Sequence, residues 1–302
     1  MATAREIRRR IRSVRNISQV TGALQAVAAS RVRRAQARAL AGRPYAARAW
    51  RVLVDVSAQT RQGSLVHPLL DVREPVNRIG ILFISSDRGL AGSYNLNILR
   101  TATRFVEKRG KPAEYITVGR KGRDQLIRTG AEVVADFSDL PDDATMADIA
   151  PIARAAMDSF LSGQVDEVHV AYTDFINMLT QRPAVVRLLP IKPYEPDEMD
   201  YADTSRVPEA AGHNLQYIYE PSAEVILNMV LPRFVEWTLF QAFLEAQASE
   251  HAARMVAMRT ASENADALAD ELTLSYNKAR QLSITNELLD IVGGAEALAA
   301  AR

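Results

Sequence analysis

The 302-residue chain contains no cysteine. Disulfides, thiolate metal sites and cysteine nucleophiles are therefore excluded. Histidine is scarce, and His67, His169, His213 and His251 stand far apart, without the close spacing a zinc site needs. No run of eighteen apolar residues occurs, so no segment predicts a membrane-spanning helix. The amino terminus has no apolar signal core. Its arginine content resembles that of an organelle transit peptide, but a helical pattern begins by Ile7 and continues unbroken, which argues against that reading. Lysine is missing from residues 1–51, which hold one acid, Glu6, against thirteen arginines. The whole chain is nearly neutral at +1, so this lopsided charge points to partners and not to fold. An acidic stretch, YEPDEMDYADTSRVPE, lies at 194–209. There is no glycine between Gly212 and Gly293, and no proline beyond Pro232.

What is present falls into three blocks. From Thr3 to about Gln62, Ile7, Ile11, Val14, Ile17, Thr21, Leu24 and Val27 recur at three- and four-residue steps, a single helical stripe. The Ala- and Arg-rich continuation RVRRAQARALAG favours helix, and Pro44 marks a bend or break. At 1.5 Å per residue such a helix is roughly 80–90 Å long, more than a compact globule of this size needs. From Asn77 to Lys192, apolar runs alternate with helical patterns. RIGILFISS, EYITVG, AEVVADF, EVHVAYTDF and AVVRLLPI read as strands; LNILRTATRFVEKRG, RKGRDQLIRTG (ending on Gly130) and ATMADIAPIARAAMDSFLSG read as helices. The alternation predicts an α/β layer with a mostly parallel sheet. From Pro221 to the end runs one long helical pattern. In it Leu268, Leu272, Ala279, Leu282, Leu289 and Val292 take heptad-like steps, with Met255, Met258, Ser262 and Ala265 upstream.

The predicted fold is thus α/β plus a long antiparallel coiled coil. The division is 1–62 for the N-terminal coiled-coil helix, 63–220 for a Rossmann-like α/β domain and 221–302 for the C-terminal coiled-coil helix. The terminal helices would form a rod and the central domain its foot.

Four segments resemble the ATP synthase gamma subunit family, in order and over essentially the whole chain. They are IRRRIRSVRNISQVTGALQAVAASRVRRAQ; SSDRGLAGSYN, similar to that family's S-x-D-R-G-L-C-G-x-x-N; FINMLTQRPAVVRLLP; and the C-terminal stretch from YIYEPSAEVI to NELLDIVGGAEAL. Gly22 and Leu24 depart from the family's I-T-K-A-M pattern, and Ala91 stands at the frequent cysteine. The cysteine-bearing insertion of chloroplast relatives is absent, so thiol control is not expected. The 193–215 loop is longer than the family pattern, and no role is assigned to it.

The resemblance implies a non-catalytic rotor shaft carrying torque between a membrane c-ring and an alpha/beta hexamer. It would sit at the cytoplasmic face of a bacterial membrane and be held there only through the complex, with epsilon as a further partner. It implies contacts to the hexamer by Arg8, Arg9, Arg33 and Arg34 on the basic first helix, and by Arg254, Gln281 and Thr285 on the last. Tyr217, Tyr219 and Glu220 would lie at the foot, near epsilon and the c-ring. No cofactor or metal is expected.

Plainer readings stand beside these. Any one arginine is equally read as a solvated charge. SSDRGLAGSYN sits between a strand and a helix, where a phosphate could be cradled. It lacks both G-x-G-x-x-G and the Lys-Ser/Thr ending of a P-loop, so Gly89 and Gly92 are read as shaping a tight turn that Asp87 caps or braces. His251, Met255 and Met258 are read as helix-face packing or hexamer contacts. A nucleic-acid-binding role for the basic arm is disfavoured, because its basic face has no interleaved aromatics and Trp50 is its only tryptophan. An α/β enzyme is disfavoured by the lack of a convergent nucleophile, base or cofactor motif. A membrane-surface helix is disfavoured because the apolar stripe is narrow.

Overall fold

The computed structural model describes residues 3–60, 67–191 and 223–300. The chain forms α1 (Ala4–Thr60), a 3-10 turn at Pro68–Leu70, β1 (Ile79–Ile84), α2 (Tyr94–Arg109), β2 (Ala113–Val118), α3 (Arg120–Arg128) and β3 (Glu132–Phe137). Then follow α4 (Met146–Leu161), β4 (Glu167–Phe175), β5 (Gln181–Leu189) and α5 (Ala223–Ala300). Two compact units result, one of Met1–Ala28 with Met255–Arg302 and the other of Ala29–Arg254.

The larger unit holds the sheet, ordered β3-β2-β1-β4-β5. β1 to β4 run parallel, and β5 turns back antiparallel to β4. All six residues of β1 are buried, as a central strand covered on both faces requires, whereas edge strand β3 alternates. One face packs Ile81 and Phe83 against Ile98 and Ala102 of α2 and Leu126 of α3. The other packs Leu82 and Ile84 against Ile149, Ile152 and Phe160 of α4 and a row on α5, Leu227, Leu231, Val235 and Leu239. The row advances by four residues, one face of a helix. α4 runs through Pro151, its start fixed by Thr145, whose backbone N–H and hydroxyl donate to Asp148 at 2.7 and 2.8 Å.

Pro44 does not break the first helix: α1 continues to Thr60. Likewise α5 passes through Pro232. α3 stops at Arg128 with Thr129 as its cap, and Gly130 turns the chain at φ +76°.

In the smaller unit α1 and α5 pair antiparallel. Ser18 Oγ lies 3.2 Å from Ser262 Oγ and donates to Asp266 at 2.7 Å. The face of α1 turned inward is not the predicted stripe. Ile7, Ile11 and Ala28 are buried, and Val14, Ser18, Thr21 and Gln25 half-buried, so the seam steps every 3.5 residues on average. Ile17, Leu24 and Val27 of the predicted stripe face outward, Ile17 at 52% exposure. The stripe advanced by only about 3.3 residues per step, because it selected the bulkiest apolar side chains and so drifted off the supercoil seam.

The same correction applies to α5. Met258, Ala265 and Ala269 are buried, and Met255, Ser262, Leu272, Tyr276 and Ala279 half-buried. Leu268 is 45% exposed. Leu282, Leu289 and Val292 are exposed because the Ser18–Ser262 register places the start of α1 near Tyr276; beyond it α5 has no partner helix among the described residues.

At Gly22, a Cβ would come no closer than 3.9 Å to Ser262 Oγ, an ordinary contact. Gly22→Ala is therefore expected to stabilise the chain by about 0.5–1 kcal/mol, since the site is a helix interior with room for a methyl group. A raised midpoint in urea unfolding followed by circular dichroism checks this.

Candidate functional site

The order of strands reverses between β1 and β4, and the loops at the carboxyl ends of β1 and β2 meet one strand to the side of that switch point. Two glycines allow the loops there to meet. Gly119 leaves β2 at φ +96°, and a Cβ on it would fall 2.3 Å from the Ser85 carbonyl. Ser85 Oγ accepts from the backbone of Gly122 at 2.9 Å, tying β1 to the first turn of α3. Asp87 accepts from the backbone N–H of Arg120 at 3.0 Å, so it caps α3 and does not brace its own turn. The turn itself uses Gly92 at φ +57° and, unexpectedly, Leu90 at φ +64°, while Gly89 needs no left-handed backbone. Leu90 stands 65% exposed.

These loops enclose a cavity of about 310 Å³ with residues of α1 and α5. Charges in and beside it are paired: Arg31 with Asp142 at 2.8 Å, Arg254 with Glu250 one helical turn away at 2.7 Å, and Asp139 with Arg120 at 2.9 Å. Arg254 also donates to the carbonyls of Arg88 and Gly89 at 3.3 Å. Arg38 and Gln247 both donate to the Asp142 carbonyl, at 3.1 and 3.0 Å. Tyr94 donates to Ala246 at 3.2 Å, and Ser249 to Thr173 at 3.0 Å. Loop carbonyls at a sheet end are thus fastened to two helices by guanidinium, amide and hydroxyl donors. Among the described residues no group of three His, Asp or Glu side chains could hold a metal ion.

Burial dominates the titration of this region. It holds His251 down to about 4, with the nearby Arg254 guanidinium adding to the effect. It raises the Glu250 carboxyl in spite of Arg254. At the opposite end of the strands His169 is held down to about 3 by burial and by Arg109 and Arg187. Unfolded histidines titrate near 6.5, so between that value and the folded ones only the unfolded chain takes up protons. The stability tied to these histidines is complete above about 6.5 and is lost as pH falls, by about 1 kcal/mol apiece at pH 6. Urea unfolding at pH 7.5 and pH 6 measures it; equal midpoints would refute it.

The predicted contact residues are dispersed. Arg8 and Arg9 are exposed on α1, as are Arg5, Arg10, Arg12 and Arg15 of the same helix. Arg33 and Arg34 are exposed in the larger unit. Arg254 is turned inward, its side chain 15% exposed. Gln281 and Thr285 are exposed, and the Thr285 hydroxyl donates to the Gln281 carbonyl at 2.9 Å. Tyr217, Tyr219, Glu220 and the 193–215 loop lie outside the described residues. His251, read as helix-face packing or a hexamer contact, is buried in the larger unit. Sequence reasoning missed Arg31, Arg38, Asp142, Gln247 and Glu250, because nothing local distinguishes a clamping arginine from a solvated one.

In the larger unit a mostly parallel sheet is covered by a long terminal helix, and its end loops are hydrogen-bonded to both terminal helices. The ATP synthase family model matches residues 3–298. An ATP synthase gamma chain of Dehalococcoides mccartyi (strain CBDB1) is 48% identical over 299 residues, covering 99% of this chain and 100% of that one. Another, of Roseiflexus castenholzii, is 46% identical over 306 residues, covering 99% of each. Among solved structures, a chain of the Euglena gracilis mitochondrial ATP synthase, OSCP/F1/c-ring, is similar with a TM-score of 0.68 at 18% identity, covering 99% of this chain and 95% of that one. A chain of the Tetrahymena thermophila mitochondrial ATP synthase central stalk/c-ring gives 0.61 at 22% identity, covering 80% and 99%. The chain belongs to the ATP synthase family and, within it, to the gamma chains.

Proposed function

We propose that the chain turns as a shaft, transmitting torque between the membrane c-ring and the catalytic alpha/beta hexamer without catalysing a reaction itself. As a gamma chain it is a subunit of ATP synthase, in the central stalk. The observation that best supports the mechanical reading is the inequality of the paired helices. Every residue from Gln281 to Gly293 is exposed, including Leu282, Ile284, Leu288, Leu289 and Ile291, so this apolar end of α5 is free to bear on other subunits. A pair of helices gives stiffness, and a single helix beyond it gives a surface that differs around the axis. Each setting of the shaft then offers each catalytic subunit different contacts, which is what biases one conformation over another.

Arg8, Arg9, Arg33 and Arg34 supply exposed charges for acidic loops of the beta subunits. Exposed pairs of this kind contribute about 0–1 kcal/mol each, weak enough to release at every step. Gln281 and Thr285 lie on the α5 end that enters the hexamer, and Arg254 acts there through the loop it holds. Epsilon and the c-ring meet the foot, with Tyr217, Tyr219 and Glu220 as its contacts. No helix among the described residues is long and apolar enough to cross a membrane, so attachment to the cytoplasmic face of the bacterial membrane runs through the complex.

Co-purification on a tagged beta subunit tests the reading. A multisubunit complex with ATPase activity only when assembled is expected; a free monomer at native expression would overturn it. Deleting residues 291–302 is expected to lower coupled ATP synthesis in that complex and leave the circular dichroism of the isolated chain's larger unit intact.

A further inference from the structure

The α1 surface in the smaller unit offers α5 two competing seams. The observed one runs through Ile7, Ile11, Val14, Ser18, Thr21, Gln25 and Ala28. A second, through Ile7, Arg10, Val14, Ile17, Thr21, Leu24 and Ala28, shares every other position and differs by a rotation of about 50°, half the angle between successive helical residues. The second encloses Ile17 and Leu24 in place of Ser18 and Gln25, a net apolar gain even though it exchanges Ile11 for Arg10, whose aliphatic stem can lie along a seam with its charge in water. The structure nevertheless leaves Ile17, Val20, Leu24 and Val27 exposed.

What distinguishes the observed seam is a polar layer. Ser18 Oγ donates to Asp266 Oδ1 at 2.7 Å and lies 3.2 Å from Ser262 Oγ. Ser262 Oγ in turn donates to the Ser18 backbone carbonyl at 3.3 Å. Gly22, one turn on, faces the same Ser262 at 3.9 Å and leaves room for the helices to approach. Rotation of α1 toward the second seam carries the Ser18 hydroxyl away from both partners, and leaves Ser262 half-buried beneath an isoleucine. A half-buried polar group without its partner is penalised more than the bond itself is worth.

We propose that Ser18, Ser262 and Asp266 form a face selector: their hydrogen bonds set the rotation of α1 against α5, and so decide which side chains this helix shows to its surroundings. These are positioning residues, on the model of the buried polar residue that specifies pairing in coiled coils at the expense of apolar packing. The inference concerns the isolated chain and stands independently of the shaft reading.

Because the chain has no cysteine, paired cysteines report the rotation cleanly. The register of Ser18 on Ser262 brings Gln25 level with Met255. In the full-length chain, Gln25→Cys with Met255→Cys is expected to oxidise about ten-fold faster than Leu24→Cys with Met255→Cys, since only well-directed Cβ atoms close a disulfide. Adding Ser18→Ala, Ser262→Ala and Asp266→Ala is expected to reverse that preference. Asp266→Asn, which keeps the acceptor, is expected to preserve it. A preference unchanged in the triple variant at native helix content overturns the proposal. If the triple variant loses helix content, Asp266→Ala alone decides: a narrowed preference supports the selector and an unchanged one overturns it.

Discussion

Replacing Gly119 with alanine is expected to cost roughly 2–6 kcal/mol of folding stability. Two effects add. The backbone at φ +96° is one that an L side chain adopts only under strain of about 1–3 kcal/mol, and the new methyl carbon overpacks a filled site at a similar cost. The obstruction is a backbone atom, the Ser85 carbonyl at 2.3 Å, and not a mobile side chain. Ser85 cannot yield easily, because its amide donates to Val118 at 2.8 Å and its hydroxyl accepts from Gly122. The expected result is a large drop in the urea midpoint with the enzyme complex failing to assemble. A shift of under about 1 kcal/mol would show that the β2–α3 junction can open without strain.

Replacing Arg254 with alanine is expected to cost about 3 kcal/mol at neutral pH. The pair with Glu250 is mostly but not fully buried, so the loss lies between that of a surface pair and the larger one of a buried charge left alone. The effect depends on pH in a definite direction. Burial already raises the Glu250 carboxyl, and removal of the guanidinium raises it further. The folded variant then binds a proton more readily than the unfolded chain, so its stability falls as pH rises from the ordinary carboxylate range through the folded value. The difference from the unmodified chain is therefore smallest in acid and grows toward neutrality. Arg254→Lys is expected to recover part of the loss, since an ammonium restores the charge but not the fork that spans Glu250 and two loop carbonyls. Urea unfolding of both variants at pH 5 and pH 7.5 checks the sign; a penalty larger in acid would refute the assignment.

The strands were legible because a buried parallel strand is a nearly continuous apolar run, and IGILFI is one. The helices of the α/β layer were legible from their amphipathic spacing and from glycines such as Gly110, which ends α2 at φ +60°. The long terminal helices were legible from the lack of interruption. The coiled-coil seam was legible only in part. Ile7 and Ile11 belong to it, but Ile17 and Leu24 do not, because a seam is defined by a period of 3.5 and by what the partner presents. On α5 the partner presents Ser262 level with Ser18 and Ala269 level with Ile11, so the choice at each level depends on the residue opposite. The clamp at the sheet end was not legible at all. Arg31, Arg38 and Arg254 look like Arg33 and Arg34 in one dimension; the Glu250–Arg254 pair is a local four-residue step, but only the fold shows that Arg31 and Arg38 reach Asp142 and Ala144 and that Arg254 reaches the carbonyls of Arg88 and Gly89.

The sequence by itself determined the elements, their order and the family, because these rest on periodicity, turn chemistry and contiguous motifs, all local along the chain. The tertiary structure alone decided which face of each long helix is inside and which charges are spent within the chain. Both depend on pairings between residues more than a hundred and sometimes more than two hundred positions apart, as Arg31 with Asp142 and Ser18 with Ser262 show. No local pattern encodes such a partner, since the free energy of a charge or a hydroxyl is set by what it meets when its water is removed.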